Sequence, residues 1–353
     1  MKLLELAMSE LKGELLQGDM GVELGALVYD SRKISPGCLF VCMKGANFDS
    51  HELLPELPGK GVAAVVIDRE VETLPEGLTV YRADNARAAL AALSAAYFGF
   101  PARELLTVGV TGTKGKTTTT HMIRALLEAG GIPTGLIGTN GITIGKEHIA
   151  TKNTTPESYE IQENFRKMAD AGCKAVVMEV SSQGLMLHRT GSILFDYGVF
   201  MNIAPDHIGP NEHKSFEEYL FWKSQLFLQC KTGLINADDV HSLYIEKMAT
   251  CEKLYRFGEK NPADFTLRNL SHTADPDFVG MRFDFAGAGR EVADVKVGMP
   301  GRFNAENALA ALSVAALSGV KDLVLRTGLK NIRVNGRMEI VKLHPYTVLV
   351  DYA

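Results

Sequence analysis

Glycine, lysine and threonine crowd one segment of the chain in a spacing suited to holding a polyphosphate: Gly112-Thr113-Lys114-Gly115-Lys116-Thr117-Thr118. The apolar run Leu105–Val110 comes before it and the helical pattern His121–Leu127 after it. In that order, glycines let backbone N–H groups close on an anion, and the helix dipole favours its charge. Lys116 would reach the β- and γ-phosphates, and the Thr117 hydroxyl would coordinate Mg²⁺. The commoner spacing of such loops wants glycine at 110, where Val110 stands; the glycines here are Gly109, Gly112 and Gly115. The segment reads as an ATP-binding loop.

Two further strands carry polar groups toward the same edge. Val176–Val180 is apolar except for Glu179, a carboxylate placed to hold the Mg²⁺ that bridges nucleotide phosphates. Phe200–His207 delivers Asp206 and His207 by the same logic, with His213 six residues on. Lys223 lies within Glu218–Phe227, a helix so apolar that a lysine there would by itself be expected to snorkel to solvent.

The elements that must position these groups alternate. Strand 105–110, helix 116–129, strand Thr134–Ile137, helix Pro156–Ala171, strand Ala175–Val180, strand Leu194–Asn202 and helix Phe216–Cys230 follow in turn. Short alternating runs fill Lys253–Val297, and helix Asn304–Ser318 closes the unit. The pattern predicts an α/β fold with a doubly wound, mostly parallel sheet, whose ligands bind at the carboxyl ends of the strands. Before it come β-type runs at Ala26–Tyr29, Cys38–Cys42 and Val62–Ile67, and a helix over Asn85–Tyr97 that stops at Gly99-Phe100-Pro101. Residues 1–102 therefore read as a small α/β domain and 103–332 as the ATP-binding domain. Met1–Leu16 reads as an amphipathic helix with no secretory signal pattern. Met338–Lys342 and Tyr346–Ala353 read as two strands, either a hairpin or the opening of a further domain.

Bulk properties narrow the function. A net charge of −5 gives no reason to expect a nucleic-acid partner. Five cysteines without a C-x-x-C pair suggest free thiols in a reducing compartment rather than disulfides or zinc. Without an apolar stretch of about 20 residues, no membrane span is expected. The expectation is a cytoplasmic, monomeric protein.

Seven ordered segments together resemble one family: Gly112–Thr118, Asn153-Thr154-Thr155-Pro156-Glu157, Met178–Ser182, Asn202 with Asp206-His207, Tyr219-x-x-x-Lys223-x-x-Leu226-Phe227, Gly301-x-Phe303-Asn304-x-x-Asn307 and Gly336–Glu339. They are similar to the Mur ligases, in the UDP-N-acetylmuramoyl-tripeptide synthetase branch. The early Asp30-Ser31-Arg32-Lys33 resembles that family's UDP-binding domain. The resemblance runs from about residue 28 to the last residue.

It implies an ATP-dependent ligase that adds a diamino acid, meso-diaminopimelate or L-lysine, to the D-Glu carboxylate of UDP-MurNAc-L-Ala-D-Glu through an acyl phosphate. Gly112, Thr113, Lys114, Gly115, Lys116, Thr117 and Thr118 would hold ATP, with Asn304 on the adenine, Arg337 on the phosphates and Asp351 on the ribose. Thr117, Glu179, His207 and a carbamylated Lys223 would hold Mg²⁺. Lys116, Lys223 and His207 would be the catalytic set. Ser31 and Arg32 would meet the uridine, and Asn153, Thr154, Thr155, Ser181 and Arg189 the muramyl-peptide. Residues 333–353 would open a C-terminal amino-acid-binding domain whose remainder the chain lacks, so that turnover by this chain alone would be poor.

The chain departs from the family pattern at Lys114, where asparagine is usual, at Ser182-Gln183-Gly184, where Ser-His-Gly is common, at Leu187, and in the long polar stretch 206–213. Other readings are a Mur ligase homologue with another acceptor, a relative of folylpolyglutamate synthase, or a non-catalytic nucleotide-binding subunit. The Asp30-Ser31-Arg32 segment disfavours folate.

Overall fold

The computed structural model describes residues 1–352 except 8, 46–47, 207, 211, 276–277 and 343–347. The chain divides into two compact units: residues 1–103, 157–166 and 186–193 form the first, and 104–156, 167–185 and 194–353 the second.

The first unit is built on a five-stranded sheet. Helix α1 (Leu3–Ala7) leads to β1 (Gly13–Gln17), β2 (Ala26–Val28), β3 (Cys38–Val41), β4 (Ala64–Ile67), β5 (Thr79–Ala83) and helix α2 (Ala86–Tyr97). The sheet order is β1-β5-β4-β3-β2, parallel except for β1 against β5. Every residue of β3 and β4 is buried, as befits strands covered on both faces. Asn85 starts α2 by accepting from the Arg87 and Ala88 amides at 2.9 and 3.0 Å.

The N-terminal segment corrects the sequence reading. Only Leu3–Ala7 is helical, burying Leu3, Leu4 and Ala7, and Gly13–Gln17 is a strand. Gly13 takes a φ of +145°, and a Cβ there would stand 2.1 Å from the Arg82 carbonyl oxygen. That close approach lets the chain pair with β5, which the leucine spacing alone could not reveal.

The second unit holds an 11-stranded sheet. Its elements are β6 (Leu106–Thr111), α3 (Lys116–Ala129), β7 (Thr134–Gly138), β8 (Gly141–Ile144), β9 (Glu147–Ile149), α4 (Ser158–Asp170, grouped with the first unit up to residue 166), β10 (Ala175–Glu179), α5 (Ser182–Met186), β11 (Phe195–Phe200), α6 (Phe216–Ser224), β12 (Cys230–Asn236) and α7 (Ser242–Met248). Then come β13 (Lys253–Gly258), β14 (Phe265–Asp275), β15 (Phe278–Gly287), β16 (Arg290–Val297), α8 (Arg302–Leu317), α9 (Asp322–Thr327), β17 (Glu339–Lys342) and β18 (Val348–Val350). The order is β16-β15-β14-β13-β12-β11-β6-β10-β7-β8-β9. From β14 to β7 all neighbours run parallel, and antiparallel strands flank that block on both sides. The doubly wound, mostly parallel sheet read from the sequence is thus observed, with antiparallel extensions. Strands β17 and β18 pair antiparallel in a small sheet of their own.

Helix α6 ends at Ser224, short of the helix read to Cys230. Residues 225–228 tighten into a 3₁₀ turn, because Cys230 already pairs with Phe195 as the first residue of β12. The core of this unit packs α3 and the alanine-rich α8 against β6, β10 and the long strands β14–β16.

Candidate active site

Strand β6 is where the winding reverses: β10 lies on one side and β11 on the other. Its carboxyl end is therefore the switch-point crevice where open α/β sheets take ligands. The loop Gly112–Gly115 fills that crevice, and Gly115 caps α3 with a φ of +87°. Asn202, just after β11, holds the loop by accepting from the Thr113 amide at its carbonyl (2.9 Å) and from the Lys114 amide at its side-chain oxygen (2.9 Å). Its side-chain nitrogen donates to the Lys114 carbonyl at 3.1 Å. Thr113 Oγ1 lies 3.1 Å from the Tyr219 hydroxyl and accepts from the Ala204 amide at 3.0 Å.

A cavity of about 380 Å³ opens over this loop. Of the residues expected at ATP, Thr113, Lys114, Gly115, Lys116, Thr117, Thr118, Asn304, Arg337 and Asp351 all line it, together with Glu179, Thr154 and Asp206. Gly112 and Lys223 stand behind it. Lys116 Nζ donates to the Gly112 and Thr113 carbonyls at 2.8 and 3.2 Å, and Lys223 Nζ donates to the same Gly112 carbonyl at 2.9 Å. Asn304 is fully buried, donating to the Pro300 carbonyl at 2.7 Å and accepting from Asn307 at 3.2 Å. Asp351 accepts from the Met338 amide at 3.0 Å, and Arg337 donates to the Tyr352 carbonyl at 3.0 Å.

Glu179 ends β10 and is 1% exposed. Thr117 Oγ1 donates to its carboxylate at 3.0 Å, the Thr139 amide at 2.7 Å and the Thr139 hydroxyl at 3.3 Å. Burial pushes the carboxyl above its ordinary value, opposed by Lys116 and these hydrogen bonds. Gly138 makes room for it, since a Cβ there would lie 2.3 Å from Glu179 Oε1. Thr139 was missed in the sequence. Its only signal was its place just beyond β7, which becomes informative once β7 is known to neighbour β10.

Lys223 is 1% exposed, so the snorkelling expected from its helix does not occur. The amine instead sits 4.5 Å over the Tyr219 ring. Burial first, then repulsion from Lys116, holds it well below the ordinary lysine value, with Asp206 opposing. Lys116 is lowered by burial too, with Glu179 and Asp206 opposing. Around the loop Lys114, Lys116, Lys223 and Arg337 face three carboxylates, Glu179, Asp206 and Asp351. That balance suits a polyanion. His207 lies outside the described residues. His213, fully buried, places Nε2 2.9 Å from Ser182 Oγ and its ring 5.2 Å from that of Tyr219.

The residues expected at the muramyl-peptide divide between the units. In the second, Thr155 Oγ1 donates to the Glu179 carbonyl at 3.0 Å and lies 3.1 Å from Ser181 Oγ, while Thr154 Oγ1 meets Thr139 Oγ1 at 2.9 Å. Asn153 lies in the same segment, exposed. In the first unit, Arg189 is held on Glu157 at 2.7 Å, and Glu157 also takes Arg87 at 3.3 Å. Ser31 and Arg32 form a 3₁₀ turn capped by Asp30.

The five cysteines are free thiols. Among the described residues no helix is long and apolar enough to cross a membrane.

Comparison with known proteins adds an independent line. The family model for the Mur ligase middle domain matches residues 110–315, and that for the Mur ligase family catalytic domain matches residues 23–98. A UDP-N-acetylmuramoyl-L-alanyl-D-glutamate–2,6-diaminopimelate ligase of Clostridium acetobutylicum is 36% identical over 96% of this chain and 70% of its own length. The Bacillus velezensis protein of the same name is also 36% identical, over all of this chain and 72% of its own. A solved structure of a ligase with that name superposes with a TM-score of 0.82 at 23% identity, covering 96% of this chain and 69% of that one.

Proposed function

The chain belongs to the Mur ligase family, and from that premise we propose that it serves ATP-dependent amide-bond formation on a peptidoglycan precursor. The substrate is UDP-MurNAc-L-Ala-D-Glu, and the incoming amine is a diamino acid. The relatives' names point to 2,6-diaminopimelate. The γ-phosphoryl group of ATP passes to the D-Glu carboxylate, leaving ADP and an acyl phosphate. The amine then attacks the acyl carbon, phosphate leaves, and the amine loses its proton.

The observation that carries this reading is the Thr117–Glu179 contact at a loop crowded with cations. A hydroxyl and a buried carboxylate are the hard oxygen donors that Mg²⁺ takes, with phosphate and water completing its shell. Thr117, Glu179, His207 and Lys223 as a carbamate are the residues that would hold Mg²⁺. Bound there, the ion would neutralise charge on the phosphate oxygens. Lys116, now spent on the Gly112 and Thr113 carbonyls, lines the cavity over the loop and would follow the charge as it moves. The low proton affinity of Lys223 favours the free amine, which adds to CO₂ to give a carbamate and release a proton. Burial that penalises the ammonium would then be relieved by metal ligation. Ser31, Arg32, Asn153, Thr154, Thr155, Ser181 and Arg189 are read as the precursor's contacts. The expected setting is the cytoplasm, and the expected state a monomer.

Calorimetric titration with UDP-MurNAc-L-Ala-D-Glu, in the presence of an ATP analogue and Mg²⁺, tests the reading. UDP-MurNAc-L-Ala and a folate are the comparison ligands. Selective binding of the dipeptide precursor is expected. Nucleotide binding without binding of any muramyl precursor would show that the acceptor has been named wrongly.

A further inference from the structure

Past Gly115 the phosphate cavity runs on into a second one of about 380 Å³. The two share Lys114, Gly115, Phe303, Asn307, Asp351 and Tyr352. A triphosphate on the loop would therefore direct its nucleoside into this second cavity. Two rings border it, Phe303 and Tyr352, and Phe303 is 52% exposed. Flat apolar faces of this kind are what a base stacks on.

Stacking is blind to which base is present, so a choice among bases needs a polar group on the cavity wall. Most polar side chains there are already engaged. Asn202 is spent on the loop, and Asn236 donates to the Met201 carbonyl at 2.7 Å while accepting from the Asp238 amide at 2.9 Å. Asn307 pairs with Asn304 and Thr119. Glu306, half-buried on the first turns of α8, differs: among the described residues its carboxyl has neither a hydrogen-bond partner nor an ion pair. Its neighbour Arg302 is bound to Glu259 instead.

We propose that the Glu306 carboxyl is the base-reading group of this site, accepting a hydrogen bond from the 6-amino group of adenine and so selecting ATP over purine nucleotides without that donor. The inference rests on the nucleotide reading given above. Burial pushes the Glu306 carboxyl up, with Lys260 and Arg302 opposing and Asp238 and Glu259 adding to it.

The test compares two triphosphates with Mg²⁺ on the whole chain by calorimetry: ATP and purine riboside triphosphate, which lacks the 6-amino group. The unmodified protein is expected to bind ATP about tenfold more tightly than purine riboside triphosphate, the effect of one buried hydrogen bond. In Glu306→Ala the preference should fall to within about twofold, through loss of ATP affinity and not through gain of the analogue. Glu306→Gln, which keeps an acceptor, should restore it. A preference unchanged in Glu306→Ala, or no preference in the unmodified protein, overturns the assignment while leaving the nucleotide site intact. Failure of every triphosphate to bind would overturn the nucleotide reading and this assignment together.

Discussion

The phosphate loop of the second unit and the Asp30–Arg32 turn of the first each set a carboxylate against a backbone amide and a neighbouring cation, in opposite surroundings. Asp30 accepts from the Arg32 amide at 3.0 Å and from the Arg32 guanidinium at 2.9 and 2.7 Å, with Arg32 86% exposed. Those hydrogen bonds draw its carboxyl down to about 2. Glu179 accepts a shorter amide bond, 2.7 Å from Thr139, has Lys116 close by, and is nonetheless pushed up, because burial outweighs its partners. In the turn, water already supports the ions and their pairing adds little. At the loop, the hydrogen bonds offset a desolvation that nothing else can, so losing one strands a buried polar group. Substitutions that leave a buried polar group unpaired at the loop should therefore be costly, and those at the turn mild.

Lys116→Ala should show the largest effect. Removing the cation that serves the transferring group should lower phosphoryl transfer by about 10²–10³-fold, the scale seen when a preorganised electrostatic group is deleted. Nucleotide affinity, read by calorimetry, should fall with it. Unchanged ATP affinity would break the comparison at its strongest point.

Gly115→Ala comes next. The added Cβ would lie 2.4 Å from Asn307 Oδ1, and the residue would have to hold a φ of +87°. Chemical unfolding should show a loss of about 1–3 kcal/mol. Pairing it with Asn307→Ala should recover the steric part and leave the backbone part, a separation a double-mutant cycle can measure. Full additivity of the two changes would mean that Asn307 does not limit the space at the loop.

These two residues also mark what could be read in the sequence. The loop was legible because its glycines, lysine and threonines have few other uses in that order between a strand and a helix. The alternation that produced the parallel sheet was legible for the same reason: periodicity is local. The surroundings of Lys223 were not. Its partner is a carbonyl 111 residues earlier, and a ring one helical turn away covers the amine, so the apolar helix suggested a solvent-facing lysine. Thr139 was silent until strand order brought β7 beside β10. Residues 157–166 and 186–193 likewise group with the first unit through contacts no local pattern announces. The Met1–Leu16 reading failed where a glycine let an edge strand replace a helix.

Lys223→Met, in bicarbonate-free buffer, sharpens the contrast through pH. Because the folded chain holds this amine below 10.5, between the lowered value and 10.5 the unfolded state binds a proton that the folded state lacks. Stability from this group therefore rises with pH across that window and is penalised below it. The methionine variant escapes the penalty and should be more stable near neutrality by about 1–3 kcal/mol. Its advantage should shrink as the pH is raised toward 10.5. An advantage that does not change with pH would mean that the amine titrates as an exposed lysine does.

The smallest effect belongs to the turn, and its smallness is the point. Asp30→Asn removes the ion pair but keeps a side-chain acceptor for the Arg32 amide, so the cap survives. The melting temperature at neutral pH should shift by no more than about 2 °C. The sign with pH is opposite to that at Lys223. A carboxyl drawn down to about 2 stabilises the fold above its ordinary value of 3.8, and that contribution is lost as the pH falls through about 2. The difference between parent and variant should thus stay flat from neutrality to about pH 5 and then close on further acidification. A larger shift at pH 7, approaching that of the loop variants, would mean that the turn is desolvated like the loop. The division between solvated and buried ion pairs would then fail at the exposed residue chosen to represent it.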